Sequence, residues 1–214
     1  SIAYNAAKAG KSILFFSIEM TALDLYEKLI AYEANIPATN VINGTAPRKT
    51  VREAGEALSK LKLDIAELSK ATSKEVTEIV QKELMDKKID LIIVDYLQFL
   101  RDQGNKNGSD ATRVGEISKT LKSLARSTKI PVLCPAQLNR KSEEAGRVRE
   151  PRLADLRDSG QLEQDADVVL LLHRKPEGDN TEKTQVIVAK NRKGETGRLT
   201  LTFNLQTTRF IESE

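Results

Sequence analysis

Asp90-Leu91-Ile92-Ile93-Val94-Asp95 sets an unbroken aliphatic run, three of its four residues β-branched, between two carboxylates. A run this short and continuous predicts a strand buried on both faces, the habit of a parallel sheet. A strand with one wet face would alternate apolar and polar residues instead. Outward from it, 13–17 (ILFFS), 62–66 (KLDIA), 130–134 (IPVLC), 167–172 (DVVLLL) and 185–189 (QVIVA) share its character. Amphipathic stretches separate these runs. Thr21 is placed to cap a helix over 22–34, in which Leu23, Tyr26, Leu29 and Ile30 recur at helical spacing. Ser73 is expected to cap 74–86, where Val76, Ile79, Val80 and Leu84 form one stripe, and Val114, Ile117, Leu121, Leu124 and Ala125 form another on 112–127. Strand–helix–strand alternation of these lengths implies right-handed crossovers around a central parallel sheet. The last thirty or so residues change character: QVIVAK, RLTLTF and TTRFIE read as short strands joined by turns at Lys193-Gly194 and Gln206-Thr207. The expectation is an α/β fold over one domain, 1–214: a mostly parallel twisted sheet flanked by helices, with an antiparallel C-terminal extension.

Composition narrows the chemistry. Hydrophobic residues make 39% of the chain and charged residues 30%, ordinary for a soluble cytosolic protein. No apolar run approaches the ~20 residues that span a bilayer, and SIAYNAAKAGKS lacks the order of a signal peptide. A lone cysteine, Cys134 in IPVLCPAQ, excludes an internal disulfide and reads as a packed core thiol. With His173 the only histidine, triads and histidine-based metal sites have almost no material. A net charge of +3 is too small to argue nucleic-acid binding by itself, and 4% aromatic residues argues against base-stacking platforms.

Two segments interrupt the alternation. Residues 101–112 (RDQGNKNGSDAT) and 139–152 (NRKSEEAGRVREPR) are polar loops that leave the carboxyl ends of the 90–95 and 130–134 strands. That is where open α/β sheets place ligands. Gly10-Lys11-Ser12 ends like a phosphate-binding loop, G-x-x-x-x-G-K-[ST], but Asn5 holds the first glycine's place and the context is inverted. A phosphate-binding loop follows a strand and opens a helix, so that backbone N–H groups face the phosphates. Here helical residues 2–9 come before and ILFFS comes after, so Gly10 is read as the end of a helix. Leu91 to Asp95 has the Walker B form, in which a strand-terminal carboxylate holds the water shell of Mg²⁺ beside a nucleotide. Glu19, after the 13–17 strand, is suited either to polarising an attacking water or to placing charge at the start of the 22–34 helix. Gln137, past the 130–134 strand, either senses a γ-phosphate or caps the strand.

Taken in order, FFSIEM, LIIVDYLQFL, IPVLCPAQLNR, LRDSGQLEQDADVVLLLHR, VIVAKNRKGETG and TTRF resemble the DnaB family of replicative helicases. The resemblance runs from Ser1 to Ile211, and its most specific element is Asp155 to Asp167, D-x-x-x-S-G-x-x-E-Q-D-A-D. It implies a RecA-like P-loop NTPase core assembled as a homo-hexamer, with ATP and Mg²⁺ between subunits and single-stranded DNA through the centre. By the same resemblance Glu19 is the catalytic carboxylate, Asp95 the Mg²⁺-associated acid and Gln137 the γ-phosphate sensor. Arg192 and Lys190 are the arginine finger and its companion, on one face of a strand and turned to the next subunit's ATP. Arg157, Asp158, Ser159 and Gly160 match the central DNA loop, while Glu163, Gln164, Asp165 and Asp167 brace it. The resemblance further implies 5′–3′ unwinding, a primase and a helicase loader as partners, no membrane, and the cytoplasm of a bacterial or phage-infected cell.

At its front the chain departs from the family pattern. The glycine-rich GKT or GKS precedes the helix represented by residues 1–9, so the sequence is expected to begin just after that loop and its strand, and without the family's N-terminal helical domain. Two other readings stand beside the helicase motor. KNRKG resembles the KNRFG signature of RadA-like recombination ATPases, and the lack of a phosphate-binding loop suits a non-catalytic assembly or binding module.

Overall fold

The computed structural model describes residues 1–102, 110–138, 149–174 and 181–212, with only the backbone at 110, 157–159, 181 and 182. Four parallel strands form the first sheet: β1 Ile13–Ser17, β2 Leu63–Glu67, β3 Leu91–Asp95 and β4 Val132–Leu133. Their order is β2-β1-β3-β4, so consecutive strands are joined by helical crossovers. Because a strand's side chains alternate between faces, the aliphatic runs supply two cores at once. Leu14, Phe16, Ile92 and Val94 meet α5 (Ser73–Asp86) and α6 (Asp110–Thr128) through Val76, Val80, Ile117, Leu121 and Leu124. Ile13 and Ile93 point the other way, onto Ala7 of α1 (Ile2–Lys8). Phe16, Ile92, Val94, Val76, Val80 and Ile117 are fully buried, each stabilising the sheet by ~1.5–3 kcal/mol. A third cluster, Tyr4, Tyr32 and Leu58, ties α1 to α2 (Ala22–Ala34) and α4 (Arg48–Leu58), and α3 (Ala38–Ile42) lies between these two helices in the chain.

Several boundaries moved for identifiable reasons. Thr21 caps α2 as expected, with a reciprocal bond to Asp24. The cap of α5 is Thr72 rather than Ser73: the Thr72 hydroxyl accepts from the Glu75 amide at 3.2 Å and the Glu75 carboxylate accepts from the Thr72 amide at 2.7 Å. Ser73 sits inside the first turn and is bound by Asp102. The 130–134 run narrows to two ladder residues because Pro131 and Pro135 carry no amide hydrogen.

The C-terminal fifth forms a separate four-stranded antiparallel sheet in the order β5-β6-β7-β8: Val168–Arg174, Thr181–Asn191, Gly197–Asn204 and Arg209–Glu212. The parallel sheet with an antiparallel extension thus holds, but 167–172 belongs to the extension and is not buried on both faces. Along β5, Val169, Leu171 and His173 are buried while Val168, Leu170 and Leu172 are about half exposed. An all-aliphatic run hides such alternation. Both expected turns occur. At the first, a Cβ on Gly194 would lie 2.7 Å from the Asn191 side-chain nitrogen, so a larger residue there would have to displace that side chain. At the second, the Asn204 side chain accepts from the Gln206 and Thr207 amides at 3.0 Å. The 3₁₀ segment Leu153–Ser159 and α7 (Gly160–Asp165) join the sheets: Leu156 packs on Val169, Leu171 and Ile187, and Asp165 accepts from Ser118 of α6 at 2.8 Å.

Candidate functional site

Parallel strands put their carboxyl ends at one edge, and the register fixes which residues meet there. Ser17 lies opposite Asp95, and the Ile18 amide donates to the Asp95 carbonyl at 3.0 Å. The Ser17 hydroxyl donates to the Met20 carbonyl at 2.6 Å, turning the chain just past Ile18. Glu19 and Asp95 therefore leave adjacent strand ends. Asp95 is half-buried, and burial first, then the charge of Glu19, pushes its carboxyl above the usual aspartate range, with Lys28 pulling the other way. Burial raises the Tyr96 phenol as well, and the charges of Glu19 and Asp95 add to it.

The α2 N-terminus takes its hydrogen-bond acceptors from other residues. Asp24 completes the Thr21 capping box, and the Glu67 carboxylate at the end of β2 accepts from the Ala22 amide at 2.7 Å. Glu19 accepts none of these bonds. It is exposed, and among the described residues its carboxylate has no hydrogen-bond partner.

Gln137 stands past the end of β4, the strand next to β3, with an exposed side chain. Its backbone is held at both groups by Gln98: the Gln98 amide nitrogen donates to the Gln137 carbonyl and the Gln98 side-chain oxygen accepts from the Gln137 amide, each at 3.2 Å. Glu19, Asp95 and Gln137 thus lie past or at the carboxyl ends of three strands that are neighbours in the sheet, β1, β3 and β4. The sequence reading missed Lys28 and Gln98, which are ordinary polar helix and turn residues until folding brings them to this edge. Cys134 fits the core role expected for it: its thiol donates to the Val94 carbonyl at 3.3 Å, and burial pushes it up to about 12. His173 is buried on β5.

The other expected site residues lie on the antiparallel part. Lys190 and Arg192 share a face as alternation requires, although Arg192 falls one residue past β6. Both turn to the end of α7: Lys190 donates to the Glu163 carbonyl at 2.5 Å, and Arg192 donates to the Gln164 carbonyl and lies 3.6 Å from the Asp167 carboxylate. These carbonyls lack helical partners, so cations suit them. Asp167 also pairs with Lys122 of α6. Of the expected DNA loop, the backbone of 157–159 ends the 3₁₀ segment and its side chains lie outside the described residues. Gly160 opens α7, exposed, with open space where its Cβ would stand, so the chain's own packing does not require glycine there. The two polar loops fall largely at 103–109 and 139–148, also outside the described residues.

Gly10 does end a helix. It has φ +80°, and its amide donates to the Ala7 carbonyl at 2.9 Å while that of Lys11 donates to Ala6 at 3.1 Å, the paired bonds of a Schellman motif. The Ser12 amide is taken by the Asp90 carboxylate at 2.9 Å, a poor neighbour for phosphate.

A strand-end pair of like charges is the kind of site that a divalent cation relieves. Among the described residues no three acidic, histidine or cysteine groups gather to hold a metal. A Mg²⁺ beside Asp95 would accordingly take its other ligands from water and phosphate, the habit of that ion in nucleotide sites. No helix among the described residues is long and apolar enough to cross a membrane.

Comparison with known proteins bears on the whole chain. Residues 1–212 match the family described as DnaB-like helicase C terminal domain. The replicative DNA helicase DnaC of Bacillus subtilis is 31% identical over all of this chain and 49% of its own length. The replicative DNA helicase DnaB of Treponema pallidum is 35% identical over 92% of this chain and 44% of its own. The chain thus spans about half the length of the curated relatives it matches. Among solved structures, one described as an ATPase domain superposes with a TM-score of 0.88 at 27% identity, covering 99% of this chain and 78% of that one. A DnaB-like replicative helicase studied with primase gives 0.87 at 28%, covering 99% and 53%.

Proposed function

Because the chain belongs to the DnaB-like helicase C-terminal domain family, we propose that it is the ATP-driven motor domain, 1–214, of a replicative DNA helicase. In this reading six copies form a ring in the cytoplasm, hydrolyse ATP between neighbours and move 5′–3′ along single-stranded DNA. A primase and a helicase loader would be its partners. The observation that carries the reading is the line of Glu19, Asp95 and Gln137 along the carboxyl edge of β1, β3 and β4.

Each residue has a task that its surroundings suit. Asp95, half-buried beside a like charge, would hold the water shell of Mg²⁺, which when bound offsets charge on the triphosphate. Glu19, exposed and committed to no helix end, would orient and deprotonate the attacking water. Gln137 would hydrogen-bond the γ-phosphate and pass its presence to the loop that follows. Lys190 and Arg192 would serve the neighbouring subunit's nucleotide. In a single chain they are occupied by the Glu163 and Gln164 carbonyls, so acting in trans requires them to exchange those acceptors for phosphoryl oxygens. Arg157, Asp158, Ser159 and Gly160 would follow the DNA backbone without reading sequence.

The test is phosphate release and strand separation by the full-length protein, with and without single-stranded DNA, for wild type and Glu19→Gln. DNA-stimulated turnover that falls ~10²–10⁴-fold in the variant, at unchanged melting temperature, is expected. A full-length protein that binds DNA but neither binds nor hydrolyses ATP would favour the non-catalytic assembly module.

A further inference from the structure

The ladder between β3 and β4 is short. Ile92 pairs with Val132 and Ile93 with Leu133, and regular pairing stops there, four residues before Gln137. Something else must fix the segment 134–138, and the structure supplies three contacts, all from the chain that follows β3 or its last residues. The Cys134 thiol donates to the Val94 carbonyl at 3.3 Å. The Leu97 amide donates to the Pro135 carbonyl at 3.1 Å. Finally, the Gln98 side chain grips both backbone groups of Gln137 at 3.2 Å.

A primary amide is suited to this last contact because it carries a donor and an acceptor in one plane, as a peptide group does. Gln98 thus stands in for a ladder residue where the strand has run out. Its own position is fixed from behind. It lies in a 3₁₀ turn, Leu97–Phe99, flanked by Leu97 and Leu100, which are 2% and 0% exposed. The Arg113 guanidinium on α6 donates to the Gln98 carbonyl at 3.2 Å and to the Leu100 carbonyl at 2.5 Å. The Gln137 backbone is thus anchored, while its side chain is exposed and has no hydrogen-bond partner among the described residues.

We propose that Gln98 is the positioning residue for Gln137, tying it to the strand end that carries Asp95 so that the two move as one unit. The proposal rests on the reading of Gln137 as the nucleotide-sensing side chain. Gln98 is three residues past Asp95, and no flexible linker intervenes. A shift of the β3 end on nucleotide binding is therefore transmitted to the Gln137 backbone by two parallel hydrogen bonds rather than through the loop.

Two measurements on the full-length protein separate the clamp from the reading beneath it. The first is amide hydrogen exchange in the nucleotide-free protein. Gln98→Ala should speed exchange at Gln137 about tenfold, the loss of one amide–carbonyl bond, and leave Ile92 to Val94 unchanged. The second is DNA-stimulated ATP hydrolysis. Gln98→Ala should lower kcat about tenfold with KM for ATP within twofold, and Gln98→Ala with Gln137→Ala should be no slower than Gln137→Ala alone. Gln98→Glu, which keeps the size and the acceptor but loses the donor, should fall between wild type and Gln98→Ala in both assays and guards against a folding defect in the alanine variant. Unchanged exchange at Gln137 in both variants overturns the clamp. Faster exchange with wild-type kcat, while Gln137→Ala is impaired, overturns the positioning role. Wild-type turnover in Gln137→Ala overturns the sensor reading and the functional half of the proposal with it.

Discussion

Replacing Gly10 and Lys11 one at a time decides whether Gly10-Lys11-Ser12 cradles phosphate or ends a helix. Gly10 is exposed at φ +80°, and nothing lies within 4 Å of a Cβ built there. Alanine at Gly10 therefore meets no clash, and its whole cost is the left-handed backbone, about 1 kcal/mol. In a domain of this size that lowers Tm by roughly 2–4 °C. Lys11 is exposed, and its amide bond to Ala6 survives truncation of its side chain, so Lys11→Ala should stay within about 0.5 kcal/mol of wild type. Position argues the same way. Lys11 sits at the amino end of β1 and Glu19 past its carboxyl end, and the five-residue strand between them spans roughly 17 Å at ~3.3 Å per residue. A lysine contacting phosphate contributes ~1.5–3 kcal/mol, or roughly ten- to a hundredfold in Kd. Calorimetric titration of the full-length protein with Mg·ATP, beside thermal melts, reads both quantities. The expected outcome is a Tm loss without loss of affinity in Gly10→Ala, and neither in Lys11→Ala. A tenfold weaker Kd in Lys11→Ala at unchanged Tm would refute the helix-end reading, as would a Gly10→Ala protein that melts like wild type.

Asp95→Asn should cost ~10²–10⁴-fold in turnover yet raise stability at neutral pH. The folded Asp95 carboxyl is harder to ionise than an unfolded one; its contribution is thus most favourable at low pH and is lost as pH rises through the raised value. Chemical denaturation at pH 4 and pH 8 checks this, and a variant destabilised at pH 8 counts against the like-charge pair. Arg157→Ala should weaken single-strand binding about equally for all sequences and flatten the dependence of log affinity on log salt; an unchanged slope places the DNA contact elsewhere. Arg192→Ala should bind ATP and fail to hydrolyse it. Mixed with Glu19→Gln it should regain activity at interfaces that combine an intact Glu19 with a neighbour's intact Arg192, and no recovery in rings proven to exchange subunits would end the trans assignment.

What the sequence revealed about this protein depended on how local each signal was. β1 and α2 sit where ILFFS and the Thr21 cap put them, because both are written in consecutive residues. The strand order β2-β1-β3-β4 is not: nothing in LIIVD says which neighbour it will have. DVVLLL misled because its unbroken apolar stretch conceals that Val168, Leu170 and Leu172 face outward, and only pairing with β6 decides it. At the site, Glu19 and Asp95 were visible as strand-terminal carboxylates. That Glu67, not Glu19, would serve the α2 N-terminus depends on a β2 residue 45 positions from Ala22, and no spacing rule reaches that far. The Gln98–Gln137 contact spans 39 positions and is equally silent in sequence.

The parallel arrangement also sets a clock. β1 emerges before its partners β2, some 50 residues later, and β3, nearly 80 residues later. Glu19 and Gln137 are 118 residues apart in the chain. A ribosome adding about 5–20 residues per second needs roughly 6–24 s to pass from one to the other. For most of that interval Leu14 and Phe16 lack α6, whose Ile117, Leu121 and Leu124 complete the core that buries them. A hairpin would close almost as soon as its second strand appears. This edge cannot, and nascent chains stalled before residue 130 should accordingly be bound by holdase chaperones far more than those released after it.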